Sequence, residues 1–284
     1  MRHTHCWLTQ EELNALLRED APYGDLTTAS LGIGQQSGRI TFHARDPMIV
    51  CGIEEAVQLF KLAGADQVEA FTASGDAADP GRHLLQASGP AHALFLAWKV
   101  AQSLMESLAG VSSCARQIVD QAGDAVVACT RKHLPGTKTL MVKAIQSGGA
   151  TMHRLGLSES IMVTEEHRSF LTAPSSHDYL PHILSAQPEK KCVVEVDQVD
   201  QALALIEQEC PVIQLEKCTI EEVSRVVEAA RTHGTGAHRT VIAAAGGIHP
   251  NNAGEYAATG VDLLVTSAPY FAKPRDVQVR FGSA

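Results

Sequence analysis

Apolar and polar positions along the chain follow two different rhythms. Thr9 and Glu12 have the spacing of a capping box, and apolar residues then recur at helical intervals to about Asp20. Residues 22–28 are rich in turn formers and read as a loop. Strand patterns follow at 38–44, 48–52, 68–72 and 83–88, with a helical segment at 53–63 and a Gly/Asp/Pro-rich turn at 74–82. Gly89-Pro90 then opens a long helix expected over 91–109. This half mixes strands and helices without strict alternation, the pattern of an α+β layer domain.

From about residue 110 strand and helix alternate. Strand-like runs occur at 125–130, 160–164, 192–196, 212–216, 240–245 and 261–266, and helix-like segments at 140–147, 198–208, 220–233 and 253–259. Repeated βα units of this length predict a parallel sheet, either closed as a barrel or left open. Six strands are fewer than the eight of a full barrel, so an incomplete barrel is expected. Residues 168–188 show no clear period. Residues 275–284 alternate through Val277, Val279 and Phe281 and read as a strand returning to the first domain.

Composition narrows the partners. The 284 residues are enough for one large barrel-type domain or two smaller ones. A net charge of -9 argues against nucleic acid or an anionic membrane as the main partner, since both call for excess Lys and Arg. The expected helix at 91–109 is interrupted by His92, Lys99, Gln102 and Glu106, so it is not expected to cross a membrane. The start, Met1-Arg2-His3-Thr4-His5-Cys6, has no apolar leader, and seven cysteines show no close metal-ligand pairing. A reduced, cytoplasmic protein is expected, with a frayed N-terminus rather than a metal site at His3, His5 and Cys6.

Against this acidic background one basic cluster stands out. Thr130-Arg131-Lys132 follows the apolar run 125–129, and Gly148-Gly149 and His153-Arg154 come shortly after. Cations at the C-terminal end of a buried strand are placed to hold a carboxylate or phosphate. The other strand ends are polar too: Glu165-Glu166-His167, Glu195, Glu216, Gly246-Gly247 and Thr266-Ser267. Glu195 and Glu216, on neighbouring strands, suit sugar hydroxyls or Mg²⁺ bridging a polyphosphate. Gly246-Gly247 before a helix would offer backbone N–H groups to a phosphate. Taken singly, each residue is as readily a solvated loop group, and Lys143 a surface lysine; the grouping carries the argument. A P-loop, a dinucleotide fingerprint, a nucleophile elbow and a zinc motif are all missing.

Several motifs together resemble the quinolinate phosphoribosyltransferases, or carboxylating nicotinate-nucleotide pyrophosphorylases, and especially their ModD branch, named for association with molybdenum transport. They are Gly24-Asp25-Leu26-Thr27-Thr28, Trp98-Lys99-Val100-Ala101-Gln102, Ala109-Gly110-Val111-Ser112-Ser113, Thr130-Arg131-Lys132 with Pro135-Gly136, His153-Arg154-Leu155-Gly156-Leu157 and Thr266-Ser267-Ala268-Pro269-Tyr270. The resemblance spans nearly the whole chain. It implies an N-terminal α/β sandwich domain over 1–109, joined by 271–284, and an incomplete C-terminal α/β barrel over 110–270, the type II phosphoribosyltransferase fold. It also implies a homodimer or higher oligomer with a composite site.

The implied reaction transfers phosphoribosyl from phosphoribosyl pyrophosphate to an acidic N-heterocycle, quinolinate in the family, with Mg²⁺ as cofactor. The family's catalytic cations fall on Arg131, Lys132, His153 and Arg154, and its substrate-binding residues on Lys99, Lys143, Glu195, Glu216, Gly246 and Gly247. Four positions depart from the pattern. Lys99 replaces an arginine, and Thr164-Glu165-Glu166-His167 replaces Lys-Asp-Asn-His. Lys217 stands where asparagine is common, and Ala243-Ala244-Ala245 precedes Gly246-Gly247 in place of Glu-x-Ser. A binding protein for a nucleotide or oxyanion in molybdenum homeostasis is the alternative implied by the ModD branch. A barrel enzyme with Lys132 or Lys143 as Schiff-base nucleophile is a third reading.

Overall fold

The computed structural model describes residues 2–171, 179–234 and 239–283. The chain forms two compact units: Met1–Arg116, His133–Gly149 and Pro269–Ala284 make one, and Gln117–Lys132 with Ala150–Ala268 make the other. The domain boundary expected at 109/110 falls inside a single helix, Ala91–Gln121.

The first unit is built on a four-stranded antiparallel sheet. Its order is the C-terminal strand Val277–Ser283, then Ser37–Ala44, His83–Pro90 and Gln67–Ala70. Ile40, Phe42 and Ala44 alternate inward, as the period of two requires. The amphipathic helix Ile53–Ala63 contributes Leu59 and Phe60 to the same core, and Phe42 meets Phe60 edge-on at 5.7 Å. The returning strand expected from Val277, Val279 and Phe281 forms.

Three local expectations are corrected in this unit. The loop at 22–28 runs into a helix, Leu26–Leu31, because Asp25 accepts hydrogen bonds from the Thr27 and Thr28 N–H groups and acts as its N-cap. The N-terminus is docked rather than frayed: the His3 N–H donates to Ser74 O at 2.8 Å, and the His3 ring lies buried against Trp7. The helix expected to stop at 109 continues through Gly110, which serves a close approach rather than a helix end. A Cβ at Gly110 would lie 2.4 Å from Lys273 O. Ser112, two residues on, donates its hydroxyl to Ile49 O at 2.6 Å.

The second unit is an all-parallel sheet of seven strands among the described residues. In chain order they are β1 (Val126–Cys129), β2 (Thr151–Met152), β3 (Ile161–Val163), β4 (Cys192–Val196), β5 (Val212–Glu216), β6 (Val241–Ala245) and β7 (Leu263–Thr266). Their order in the sheet is β2-β1-β7-β6-β5-β4-β3, so the first and last strands of the barrel pair and the ring stays open between β2 and β3. The sheet is thus a curled, incomplete barrel. The sequence pattern missed β2, since two residues are too few to show alternation. The helices Val199–Glu207, Ile220–His233 and Ala253–Ala258 lie close to their expected bounds. The unpatterned stretch contains the helix Tyr179–Ala186, and its residues 172–178 lie outside the described residues.

Candidate active site

In a parallel sheet every strand C-terminus emerges on the same side. Here those ends surround a cleft of about 1040 Å³. Arg131 and Lys132 follow β1, His153 and Arg154 follow β2, Glu195 is the penultimate residue of β4, Glu216 ends β5, and Gly246-Gly247 follow β6. All eight line the cleft. Short strands matter for this placement. The two-residue β2 ends at Met152, and the His153 N–H extends its pairing to Cys129 O at 2.9 Å, so His153 and Arg154 are fixed beside the end of β1.

The lining carries five cationic side chains and five carboxylates, and the two signs are partly separated. Arg131, Lys132 and Arg154 stand at β1 and β2; Glu165, Glu166, Glu195, Asp197 and Glu216 stand at β3, β4 and β5. Burial, and then the neighbouring Arg131 guanidinium, hold Arg154 below the usual arginine range. Burial and Arg154 also push His153 down, favouring a neutral imidazole. A part-buried guanidinium set beside a second one makes a favourable seat for an anion, whose charge relieves Arg154. On the other side, burial first and then Glu216 raise Glu195. A shared proton, sugar hydroxyl or cation would relieve that pair.

Glu195 is held by neighbours that the sequence did not reveal. Gln214, buried in mid-strand, donates its amide to the Glu195 carboxylate. The Arg168 guanidinium, also buried, donates to Glu195 O at 2.7 Å. Gln214 sits among apolar residues and reads as core; Arg168 falls in the stretch without a period. Both acquire their place through contacts across strands. Asp197 and His249 also line the cleft and were missed, although Asp197, directly after β4, follows the same strand-end rule as the others.

Two assigned residues lie elsewhere. Lys143 is corrected: it is neither a surface lysine nor a cleft residue. Its ammonium is enclosed in the first unit, 2.9 Å from Glu54 Oε2, 2.8 and 2.6 Å from the two Glu55 carboxylate oxygens and 3.2 Å from His5 O. Burial works against its charge, but Glu55 and Glu54 outweigh it and hold its pKa above the usual lysine value. A lysine kept protonated is no Schiff-base nucleophile. Lys99 is exposed on the helix Ala91–Gln121, 4.4 Å from the Trp98 ring centroid and bonded to Gln102 at 3.2 Å.

The departures at β3 have a local cause. Thr164 and His167 form a reciprocal cap on the short helix Glu165–Arg168, with Thr164 Oγ1 2.9 Å from His167 Nδ1. A hydrogen bond from Thr164 holds the Glu166 carboxyl below its usual value. Threonine in place of lysine therefore serves the cap, and two acids occupy the first turn, where a helix favours them.

Gly246-Gly247 also differ from expectation. The next helix, Ala253–Ala258, starts six residues after Gly247, so these glycines belong to a loop rather than a helix N-terminus. Gly246 has φ 89, and a Cβ there would lie 2.7 Å from Lys217 N and 2.6 Å from Lys217 Cγ. Gly246→Ala is expected to cost about 1–3 kcal/mol, from the left-handed backbone together with the clash. Thermal unfolding of the variant would check this; an unchanged midpoint would mean the loop can move away.

A metal cage is not evident: among the described residues no group of three His, Cys, Asp or Glu side chains is arranged to hold an ion. The seven cysteines are free, and no described helix is long and apolar enough to cross a membrane.

Comparison with known proteins agrees with this architecture. The model of the quinolinate phosphoribosyl transferase N-terminal domain matches residues 25–109, and that of the C-terminal domain matches residues 111–280. The protein named ModD of Rhodobacter capsulatus is 45% identical over 245 residues, covering 85% of this chain and 93% of its own. The nicotinate-nucleotide pyrophosphorylase [carboxylating] of Mycobacterium leprae is 28% identical over 265 residues, covering 91% of this chain and 92% of its own. Among solved structures, NadC of Streptococcus pyogenes superimposes with a TM-score of 0.87 at 21% identity, covering 98% of this chain and 99% of its own, a likeness of fold. With both domain models matched in order along the chain, and the strand-end cleft lying in the second, this protein belongs to the quinolinate phosphoribosyltransferase family.

Proposed function

We propose that the chain transfers a phosphoribosyl group from phosphoribosyl pyrophosphate to an acidic N-heterocycle at the strand-end cleft of the barrel. The observation that carries this is the cleft's separated charge: a basic corner beside an acidic one. Arg131, Lys132 and Arg154 bind the acceptor's carboxylate, and His153, favoured as the neutral imidazole, donates or accepts a hydrogen bond there. Glu195 and Glu216 hold the ribose hydroxyls. The acceptor's ring nitrogen bonds to the sugar's anomeric carbon as the carbon–oxygen bond to pyrophosphate breaks, and that electron pair leaves with pyrophosphate. Positive charge builds on the sugar in that step, so the nearby carboxylates and the fixed orientation supply the rate. Where the acceptor carries a carboxylate next to the ring nitrogen, carbon dioxide is lost, and its bonding pair stays on the ring carbon to take a proton.

The donor set fits Mg²⁺ shared with a ligand. Glu195 and Glu216 are two carboxylates without a third partner, and Mg²⁺ is commonly bound by one or two carboxylates plus phosphate oxygens. Such an ion would neutralise charge on the leaving pyrophosphate. Lys99, exposed beside Trp98, is proposed to enter the cleft of a second copy of the chain, as the family resemblance implies.

The deciding experiment measures pyrophosphate release from phosphoribosyl pyrophosphate against a panel of acidic heterocycles, with and without chelator. Release with at least one acceptor, reduced by chelator, is the expected result. Binding without release under all conditions would favour the alternative of a ligand-binding protein of the ModD branch; no binding would exclude both.

Quinolinate is not expected to be the best acceptor. It carries two carboxylates, and Thr164 stands where the resemblance places a lysine, while Glu165 and Glu166 line the same corner. A lost charge-assisted contact is worth roughly 1.5–3 kcal/mol. Thr164→Lys is expected to raise quinolinate affinity by about tenfold or more, while loss of the cap lowers stability by about 1 kcal/mol. Titration calorimetry and thermal unfolding read the two effects separately. A parent protein that prefers quinolinate to every other acceptor would overturn this expectation.

A further inference from the structure

Among the described residues only Glu209 and Lys217 are non-glycine residues with a left-handed backbone, at φ 55 and 59. Glu209 lies just past the helix Val199–Glu207, where a left-handed residue is an ordinary helix ending. Lys217 has no such setting. It follows β5 directly and lines the cleft. Its N–H donates to Ala245 O at 2.8 Å, which ties the end of β5 to the end of β6. Gly246, at the matching place after β6, is also left-handed and has no room for a side chain because Lys217 is there.

The two strand ends thus share one constriction, and each passes it in a conformation that glycine and asparagine adopt readily. A lysine there is strained, and it lacks the short polar side chain with which asparagine or aspartate compensates. Geometry alone would be served better by another residue. What lysine adds is its ammonium: the side chain is 79% exposed, and Nζ lies 3.9 Å from Glu216 Oε1, at the acidic corner of the cleft.

We propose that Lys217 is a phosphate-binding, specificity-determining residue. It supplies from the chain itself part of the positive charge that phosphate groups would otherwise take from a divalent cation at Glu195 and Glu216. This rests on the reading of the cleft as a phosphoribosyl transfer site. Lys217 screens Glu216 when the cleft is empty and turns to the phosphates when they arrive, as a flexible, multiply donating ammonium is able to do. The consequence is a cleft that binds a polyphosphate without metal, and binds it more tightly with metal.

The test uses the full chain and inorganic pyrophosphate as the probe, followed by calorimetry in chelator and in Mg²⁺. Lys217→Asn keeps a residue suited to the left-handed backbone, so the variant is expected to fold and to melt at or above the parent's temperature. Its metal-free affinity for pyrophosphate is expected to fall about tenfold, equal to about 1.4 kcal/mol, and Mg²⁺ is expected to close most of that gap. Lys217→Arg is expected to keep most of the metal-free affinity. A Lys217→Asn protein that binds metal-free pyrophosphate like the parent would overturn the proposal while leaving the transferase reading intact. So would a loss of equal size with and without Mg²⁺. If the parent itself binds no pyrophosphate in either buffer, the transferase reading falls, and this proposal with it.

Discussion

Lys143→Met is expected to destabilise the protein by about 3–5 kcal/mol, the cost of breaking a buried ion pair by removing one partner. The side chains of Lys143 and Glu55 are fully buried and that of Glu54 nearly so. Without the ammonium, Glu55 keeps the Trp7 N–H, and Glu54 keeps the N–H and hydroxyl of Ser74, which leaves two carboxylates facing each other with too few donors. Urea unfolding of parent and variant would measure the difference. A variant as stable as the parent would show that the two acids take up protons at little cost.

The same cluster sets two limits in pH. Lys143 has a raised pKa in the folded state, so its contribution is complete below the ordinary lysine value of 10.5 and is lost as pH rises through the folded value above it. Although burial pushes Glu54 up, hydrogen bonds from Ser74 and Lys143 hold it below its usual 4.5. Its contribution is present above 4.5 and is lost as pH falls through the folded value. Stability should therefore decline at both the acidic and the strongly alkaline ends.

Arg131→Ala and Arg154→Ala are each expected to weaken anion binding in the cleft by roughly 1.5–3 kcal/mol, about ten- to a hundredfold. Sulfate is a suitable calorimetric probe, because its own charge does not change near neutral pH. The parent should bind it more tightly as pH falls through the folded pKa of His153, which burial and Arg154 place below 6.5, since the imidazolium then adds a fourth charge to those of Arg131, Lys132 and Arg154. His153→Gln should remove that dependence. Parent-like sulfate affinity in both arginine variants would mean that the basic corner does not hold the ligand.

Much of this site was legible before the fold was known, for a specific reason. In a parallel sheet the strand period and the strand-end rule act together: once residues 192–196 and 212–216 read as strands, Glu195 and Glu216 must emerge on one side. The same logic placed Arg131 and Lys132 after β1 and Gly246-Gly247 after β6. The capping box at Thr9 and Glu12 was equally plain, because all its hydrogen bonds lie within three residues.

The sequence by itself determined most of the element types, a parallel sheet with too few strands for a full barrel, and part of the charge at its mouth, Arg131, Lys132, His153, Arg154, Glu195 and Glu216, because these depend on local periodicity and on chirality. Only the tertiary structure decided where Lys143, Arg168, Gln214 and the N-terminus belong. Lys143 is an unremarkable helix lysine until Glu54 and Glu55, 89 and 88 residues away, enclose it. Arg168 gains its role only when Glu195 O lies beside it, and His3 is buried only because Ser74 and Trp7 meet it. Desolvation is a property of the assembled neighbourhood. A charged side chain keeps the same spacing pattern whether water or a carboxylate becomes its partner, and folding alone makes that choice.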